Sequence, residues 1–400
     1  MSMELLAPAG NFEKLRYALA YGADAVYGAY RSFGLRSAGD NFDGPGLKEA
    51  IDYCHGLGKK MYITVNIYPT SRDLEQLPAF FEMLEELRPD GMIIADLGVM
   101  ALAKRHAPHI PIHVSTQANV TNFETAMVLA ELGAKRLVLA REMPVDEILH
   151  LRQHLPQEIE LECFVHGAMC ISYSGRCLLS AAMVNRSANQ GACAHPCRWN
   201  YALMEEKRPG EYFPIEEDGR GTYIMNSKDL CLIQHLQQLQ ECGVASLKIE
   251  GRMKSFYYAA CVTRAYRRAL DDLKEGKPFD PTLLEELRAV SHRDYTTGFF
   301  NGVPGAEAQE PQNGGYIRLT DVVAVATDQP GIFIQKNKFS LGEELEVLTP
   351  QAQPYGVTVE QMADEKGIPI ESAPHAQMTV QLPLHLPPYS ILRRNRKAEL

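Results

Sequence analysis

The sequence predicts an α/β protein: a closed (β/α)8 TIM-type barrel with a long cysteine-rich loop after its seventh strand, followed by a small C-terminal antiparallel β-barrel. Three observations predict it. Short apolar, β-rich runs alternate with helix-period segments from the first residues, those runs number eight, and the pattern changes near residue 310 to short alternating pieces separated by Gly, Pro and Asp. Strands of a parallel barrel are covered on both faces, so they read as continuous apolar runs rather than as alternation. An open doubly wound sheet accommodates the same eight units and is the structural alternative.

In chain order the strands are MELLAP (3–8), AVYGAY (25–30), KMYITVN (60–66), GMIIA (91–95), IHVST (112–116), RLVLA (136–140), IELECFVH (159–166) and SLKIEG (246–251). Helical spacing of apolar residues falls between them at 12–21, 74–87, 123–132 and 145–155. The stretch 168–245 is far longer than an ordinary connection and leaves the carboxyl end of strand seven, the catalytic face of such a barrel. A long helical segment follows strand eight. The domain reading is therefore a barrel over 1–305 with an insertion at 168–245, a polar linker at 306–315, and a small β-barrel over 316–400.

Composition narrows the function. The chain has 400 residues, 46% hydrophobic and 22% charged, enough for a sizeable core. Net charge is −10, so any nucleic-acid site must be a local basic patch. No apolar run approaches the roughly 18 residues of a membrane span, and membrane contact is not expected. Nine cysteines, with no secretory pattern at the start, place the thiols in a reducing, cytoplasmic compartment.

Five of those cysteines, at 170, 177, 193, 197 and 231, fall in the long loop. Thiolates gathered in one loop need a metal to neutralise them, and an iron-sulfur cluster usually takes four. Structural zinc is the competing set, although only Cys193 and Cys197 approach its close pairing. Unrelated thiols are the third reading. Cys54, Cys163, Cys242 and Cys261 sit in apolar strand or helix patterns and are expected in the core.

The stretch ECFVHGAMCISYSGRCLLS (162–180) resembles the signature of the collagenase-like peptidase family U32. The likeness extends to ELLAPAGNFEKLRYALAYGADAVY, NQGACAHPCRWNY, TYIMNSKDLCLI, SLKIEGRMKSFYY and KNKFSLGEELEV, and so covers nearly the whole chain. Within the family it is most similar to the tRNA-hydroxylation branch. That resemblance implies prephenate-dependent formation of 5-hydroxyuridine at the tRNA wobble position, with a 4Fe-4S cluster. It further implies cluster ligands at Cys170, Cys177 and Cys193, with Cys231 of SKDLC as the fourth and Cys197 of the C-x3-C pair as its alternative.

Polar residues at strand ends supply the remaining candidates. His166, Glu250, Arg252 and Lys254 are the catalytic set, with His166 as a proton relay beside the first loop cysteine. Arg36, Asn66, Gln117, Asn119 and Lys248 are substrate-binding candidates, the cations being suited to the two carboxylates of prephenate. Glu162 is expected to need a cationic partner if it points into the barrel. For tRNA, Arg198 and Trp199, with Tyr201, form one candidate contact; the basic runs 264–268 and 393–397 are others. An electron-donor protein is an expected partner. HExxH and G-x-S-x-G are absent, and thiols that hold iron cannot serve as nucleophiles, which leaves peptide hydrolysis as the alternative activity and a non-catalytic iron-sulfur subunit as a third.

Overall fold

The structure is a computed structural model that describes residues 3–35, 40–199, 203–204, 212–213, 227–304 and 316–396. Eight parallel strands close into a barrel: β1 (Glu4–Pro8), β2 (Ala25–Ala29), β3 (Lys60–Val65), β4 (Gly91–Ile94), β5 (Ile112–Val114), β6 (Ala134–Val138), β7 (Glu160–Ala168) and β8 (Ser246–Ile249). Each pairs with its successor, and β8 returns to pair with β1, Leu6 lying opposite Lys248. Closure decides against the open sheet.

The connecting helices begin where side chains satisfy otherwise orphaned N–H groups. Asn11 caps α1 (Phe12–Ala20), Asp43 caps α2 (Gly44–Gly56) and Asp96 caps the helix Leu97–His106, whose last turn carries Lys104, Arg105 and His106 against its dipole. Leu5, Ala7, Met61, Ile63, Leu161 and Val165 face the helices and form the main core. Their alternates Leu6, Tyr27, Tyr62 and Ile93 pack as a separate inner group. Cys54, Cys163, Cys242 and Cys261 are buried, as expected.

One polar string runs through the barrel interior. Glu162, fully buried, accepts from Lys248 at 2.7 Å and Arg136 at 3.1 Å, and Arg136 also reaches Glu4 at 2.7 Å. Glu162 therefore points inward and has its cationic partners. Burial alone would push its carboxyl up, but Lys248 and Arg136 outweigh that and hold it below the ordinary range.

The C-terminal domain is a six-stranded antiparallel sheet in the order Tyr355–Thr358, Glu344–Leu348, Ile391–Asn395, Thr320–Ala326, Ile332–Gln335, Thr379–Gln381, with a separate ribbon of Phe339–Ser340 and Ser372–Ala373. No ladder joins its two outer strands among the described residues, so it is an antiparallel sheet over its own core rather than a hydrogen-bonded closed barrel. The expected linker at 306–315 lies outside the described residues. Among the described residues no helix is long and apolar enough to cross a membrane.

The arginines of both basic runs are paired with acids, and Lys397 lies outside the described residues. Arg264 is buried against Glu286 and donates to the Ala352 carbonyl at 2.6 Å, while Arg267 and Arg268 pair with Asp24 and Asp280. Arg393 is buried between Glu346 and the Tyr257 hydroxyl, Arg394 pairs with Glu343 and Arg396 with Asp321. The spacing showed their charge but not the acids that fold against them.

Candidate functional site

β7 ends in His-Gly-Ala, and the glycine decides the path of the loop. Gly167 has φ +108°, and a Cβ there would lie 2.4 Å from the Glu250 carbonyl oxygen, so a side chain is excluded by conformation and by space. The chain then turns across the carboxyl ends of the strands. Asn119, itself left-handed at φ +55°, donates to the Ser174 carbonyl at 3.2 Å; Arg141 donates to the Ala168 carbonyl at 2.8 Å and to Ser174 Oγ at 3.1 Å. Tyr68 N–H donates to the Asn189 carbonyl, and the Ala194 N–H to Ser180 Oγ. The loop is pinned over the barrel mouth.

This pinning gathers Cys170, Cys177, Cys193 and Cys197 on one cavity of about 160 Å³. Burial raises the Cys197 thiol, Arg198 opposes, and Cys170, Cys193 and Cys177 add to the rise, as expected of sulfurs close enough to repel as thiolates. The His195 N–H donates to Cys193 Sγ at 3.4 Å. Cys231 is elsewhere. The chain re-enters the sheet at Asp229–Cys231, antiparallel to the end of β7, and the Cys231 sulfur faces Tyr266 at 4.0 Å in the core, where burial pushes its thiol up to about 11. Of the two candidates for a fourth ligand, Cys197 shares the cavity with the other three thiols and Cys231 does not line it.

Four thiols on one cavity are the donor set that a thiolate-bound iron-sulfur cluster takes, and a four-cysteine zinc site uses the same donors. A polynuclear cluster reaches its thiolates at separate corners and takes a wider ring, whereas tetrahedral zinc needs a tight one.

The same cavity is lined by Thr64, Asn66, Ser115, Gln117, Arg141, Phe164, Arg198, Lys248, Glu250 and Arg252. Arg252 is buried and donates to Thr64 Oγ1 at 2.8 Å. Lys248 is committed to Glu162, with its ammonium 4.6 Å above the Tyr27 ring. Asn66 Oδ1 accepts from the Leu35 N–H at 3.2 Å. Gln117 is buried with both amide atoms lacking a hydrogen bond among the described residues, while its backbone carbonyl accepts from Tyr68 and Asn119. Asn119 fastens the loop rather than lining the cavity.

Other candidates fall outside it. His166 lines neither this cavity nor its neighbour; it is buried among Tyr258, Tyr266 and Tyr295, and burial, with His292 and Lys254 adding, pulls its imidazole down to about 3. That environment is one of a packed histidine enclosed by three tyrosine rings, away from both cavities. Lys254 lines the adjoining cavity and donates to the Ser291 carbonyl at 3.0 Å. Arg36 and Tyr201 lie outside the described residues; Trp199 is partly exposed beside Arg198. Thr64 is a cavity residue that the sequence reading did not single out, whereas Arg141 and Ser115 belong to its polar strand-end residues. Position at a strand end was the signal for Arg141 and Ser115; Thr64, inside β3, carries none.

Residues 10–310 match peptidase family U32 and residues 320–393 match the peptidase family U32 C-terminal domain. The chain is 39% identical to tRNA hydroxylation protein P of Escherichia coli, covering 99% of this chain and 97% of that protein. It is 46% identical to tRNA hydroxylation protein P of Helicobacter pylori strain 26695, over 74% and 71%. A protein named collagenase from Porphyromonas gingivalis is 29% identical over 87% of this chain and 86% of its own length. With both of its domains matched and relatives aligned along almost its whole length, the chain belongs to peptidase family U32.

Proposed function

We propose that this protein hydroxylates tRNA, replacing C5–H of the wobble uridine by C5–OH in a prephenate-dependent, cytoplasmic reaction that uses a 4Fe-4S cluster. The observation that carries the reading is the convergence of four cysteines and a cationic lining on one cavity at the catalytic face of the barrel, in a chain aligned end to end with tRNA hydroxylation proteins. Cys170, Cys177, Cys193 and Cys197 would hold the cluster, which when bound supplies one-electron transfer.

The chain's own residues do the rest. Among the described residues, Arg141, Arg198, Lys248 and Arg252 line the cavity against one carboxylate, Glu250. With Lys248 neutralising Glu162 behind it, the arginines supply the positive field for a dicarboxylate, for which a planar guanidinium offers two parallel donors. The Gln117 amide presents one donor and one acceptor, the pairing a uracil imide edge takes. Tyr27 and Phe164 give the cavity apolar walls that limit water. Replacing C5–H by C5–OH takes two electrons from the base, so the reaction consumes an external oxygen-atom source that accepts them, and a separate redox protein would exchange electrons with the cluster. Peptide hydrolysis would require a cysteine freed from this group with a general base beside it.

The test is nucleoside composition. Deleting the gene in a host without a redundant enzyme removes 5-hydroxyuridine derivatives from wobble uridine, and wild-type protein restores them while Cys177→Ala does not. An unchanged nucleoside profile defeats the reading.

A further inference from the structure

A second cavity, about 710 Å³ and more than four times the size of the first, lies between the barrel and the C-terminal domain. The two share Ala168, His195, Arg198 and Glu250, so one opens beside the other. Its walls come from three parts of the chain. The cysteine loop gives Arg198, the segment after β8 gives Lys254 and Phe256, and the C-terminal domain gives Tyr316, Arg318 and Lys336. Among the described residues lining it, four Lys and Arg side chains face a single carboxylate, Glu250. That is a local reversal of a net charge of −10.

Tyr316 joins the walls. Its hydroxyl accepts from Arg198 Nη1 at 3.3 Å, and the Lys254 ammonium sits 3.8 Å from its ring centroid. Lys336 crosses to Glu13 on α1 at 3.3 Å. Arg318 is more than half exposed and only 3.6 Å from Asp321, a surface pair of the weak kind that a phosphate can replace. Cations interleaved with exposed aromatic and thioether side chains (Tyr316, Met253) make a lining that tracks a phosphodiester backbone and tolerates bases. An acidic peptide would find the cations but gain little from the rings.

We infer that this interdomain groove binds the phosphate backbone of single-stranded RNA and feeds a splayed base past Arg198 into the barrel mouth, the C-terminal domain supplying one wall. The inference rests on the RNA-hydroxylating reading above for the purpose of the groove, though not for its binding.

The experiment uses the full-length holoprotein and a fluorescein-labelled anticodon stem-loop, with anisotropy titrations across a range of salt concentrations. Arg318→Ala is expected to weaken binding roughly three- to tenfold and to flatten the log K against log salt slope by about 0.7 to 0.9, one phosphate contact. Arg318→Glu weakens it further, whereas Lys48→Ala, an exposed cation on α2 outside the groove, changes neither quantity. Unchanged affinity and slope in Arg318→Ala protein with wild-type melting temperature overturn the groove; so does an equal loss of binding to poly-glutamate, which would make it a general polyanion surface. The two readings fail separately. Wild-type protein that modifies wobble uridine while Arg318→Ala binds normally sinks the groove alone, and protein that binds through Arg318 yet modifies no tRNA sinks the activity alone.

Discussion

Glu162 shows how one buried charge organises the barrel interior. It alternates with the apolar residues Leu161 and Cys163 on β7 and meets Lys248 from β8 and Arg136 from β6. Removing one member of such a group strands the others in a low-dielectric interior, which is more costly than the whole group is worth. Glu162→Gln is expected to lower the unfolding free energy by roughly 3–5 kcal/mol at neutral pH, read by urea denaturation. The pH dependence has a definite sign. Because the folded carboxyl titrates below its unfolded value, its contribution is fully present above the unfolded pKa of about 4.3 and disappears as pH falls through the lower folded value. Wild type should therefore lose stability more steeply than the Gln variant on acidification below about pH 4. Parallel curves would place the acid sensitivity in other groups.

At the scale of elements, the loop and the short strand that follows it divide the cysteines. The family resemblance at SKDLC puts Cys231 with the loop thiols, but Asp229–Cys231 pairs with β7 and turns its sulfur to Tyr266. Cys197, on the single turn Pro196–Arg198, is carried back to Cys170, Cys177 and Cys193. Anaerobically reconstituted Cys197→Ala is accordingly expected to lose iron and the broad absorbance of thiolate-to-iron charge transfer, while Cys231→Ala keeps both and loses only the stability of a small core truncation. Bleaching by Cys231→Ala alone, with Cys197→Ala still coloured, would reverse the assignment. The residues that hold the loop in place, Asn119 and Arg141, act through backbone carbonyls and Ser174, so their effect is on the geometry of the thiols.

At the scale of the whole molecule, the two domains are locked together. Val325, Leu348 and Ile391 of the C-terminal sheet pack into the barrel's main core. The Tyr21 hydroxyl donates to the carbonyls of Leu348 and Tyr389, and Tyr257 shares a hydrogen bond with Thr320 at 2.8 Å. A continuous apolar core and buried polar ties couple unfolding of one part to the other. Calorimetry of the full chain is expected to give one cooperative transition; two well-separated transitions would show that the domains unfold independently. The coupling also fixes the groove, since its walls belong to both domains.

The apolar runs by themselves determined eight strands covered on both faces, which must be apolar throughout, and they recur within a residue or two as β1–β8; the pairing of β8 with β1 then closed them into a barrel. The concentration of cysteines marked the region for a related reason: four of the five thiols in one long loop at a strand's carboxyl end fall on one cavity. Tertiary structure decided everything that depends on long-range partners. Arg264 and Arg393 read as surface charge until Glu286 and Glu346 meet them, His166 reads as a relay until three tyrosines enclose it, and Cys231 reads as a ligand until β7 claims its strand. A charge, an imidazole or a thiol has its chemistry set by solvation and by neighbours, and those neighbours come from tens to hundreds of residues away.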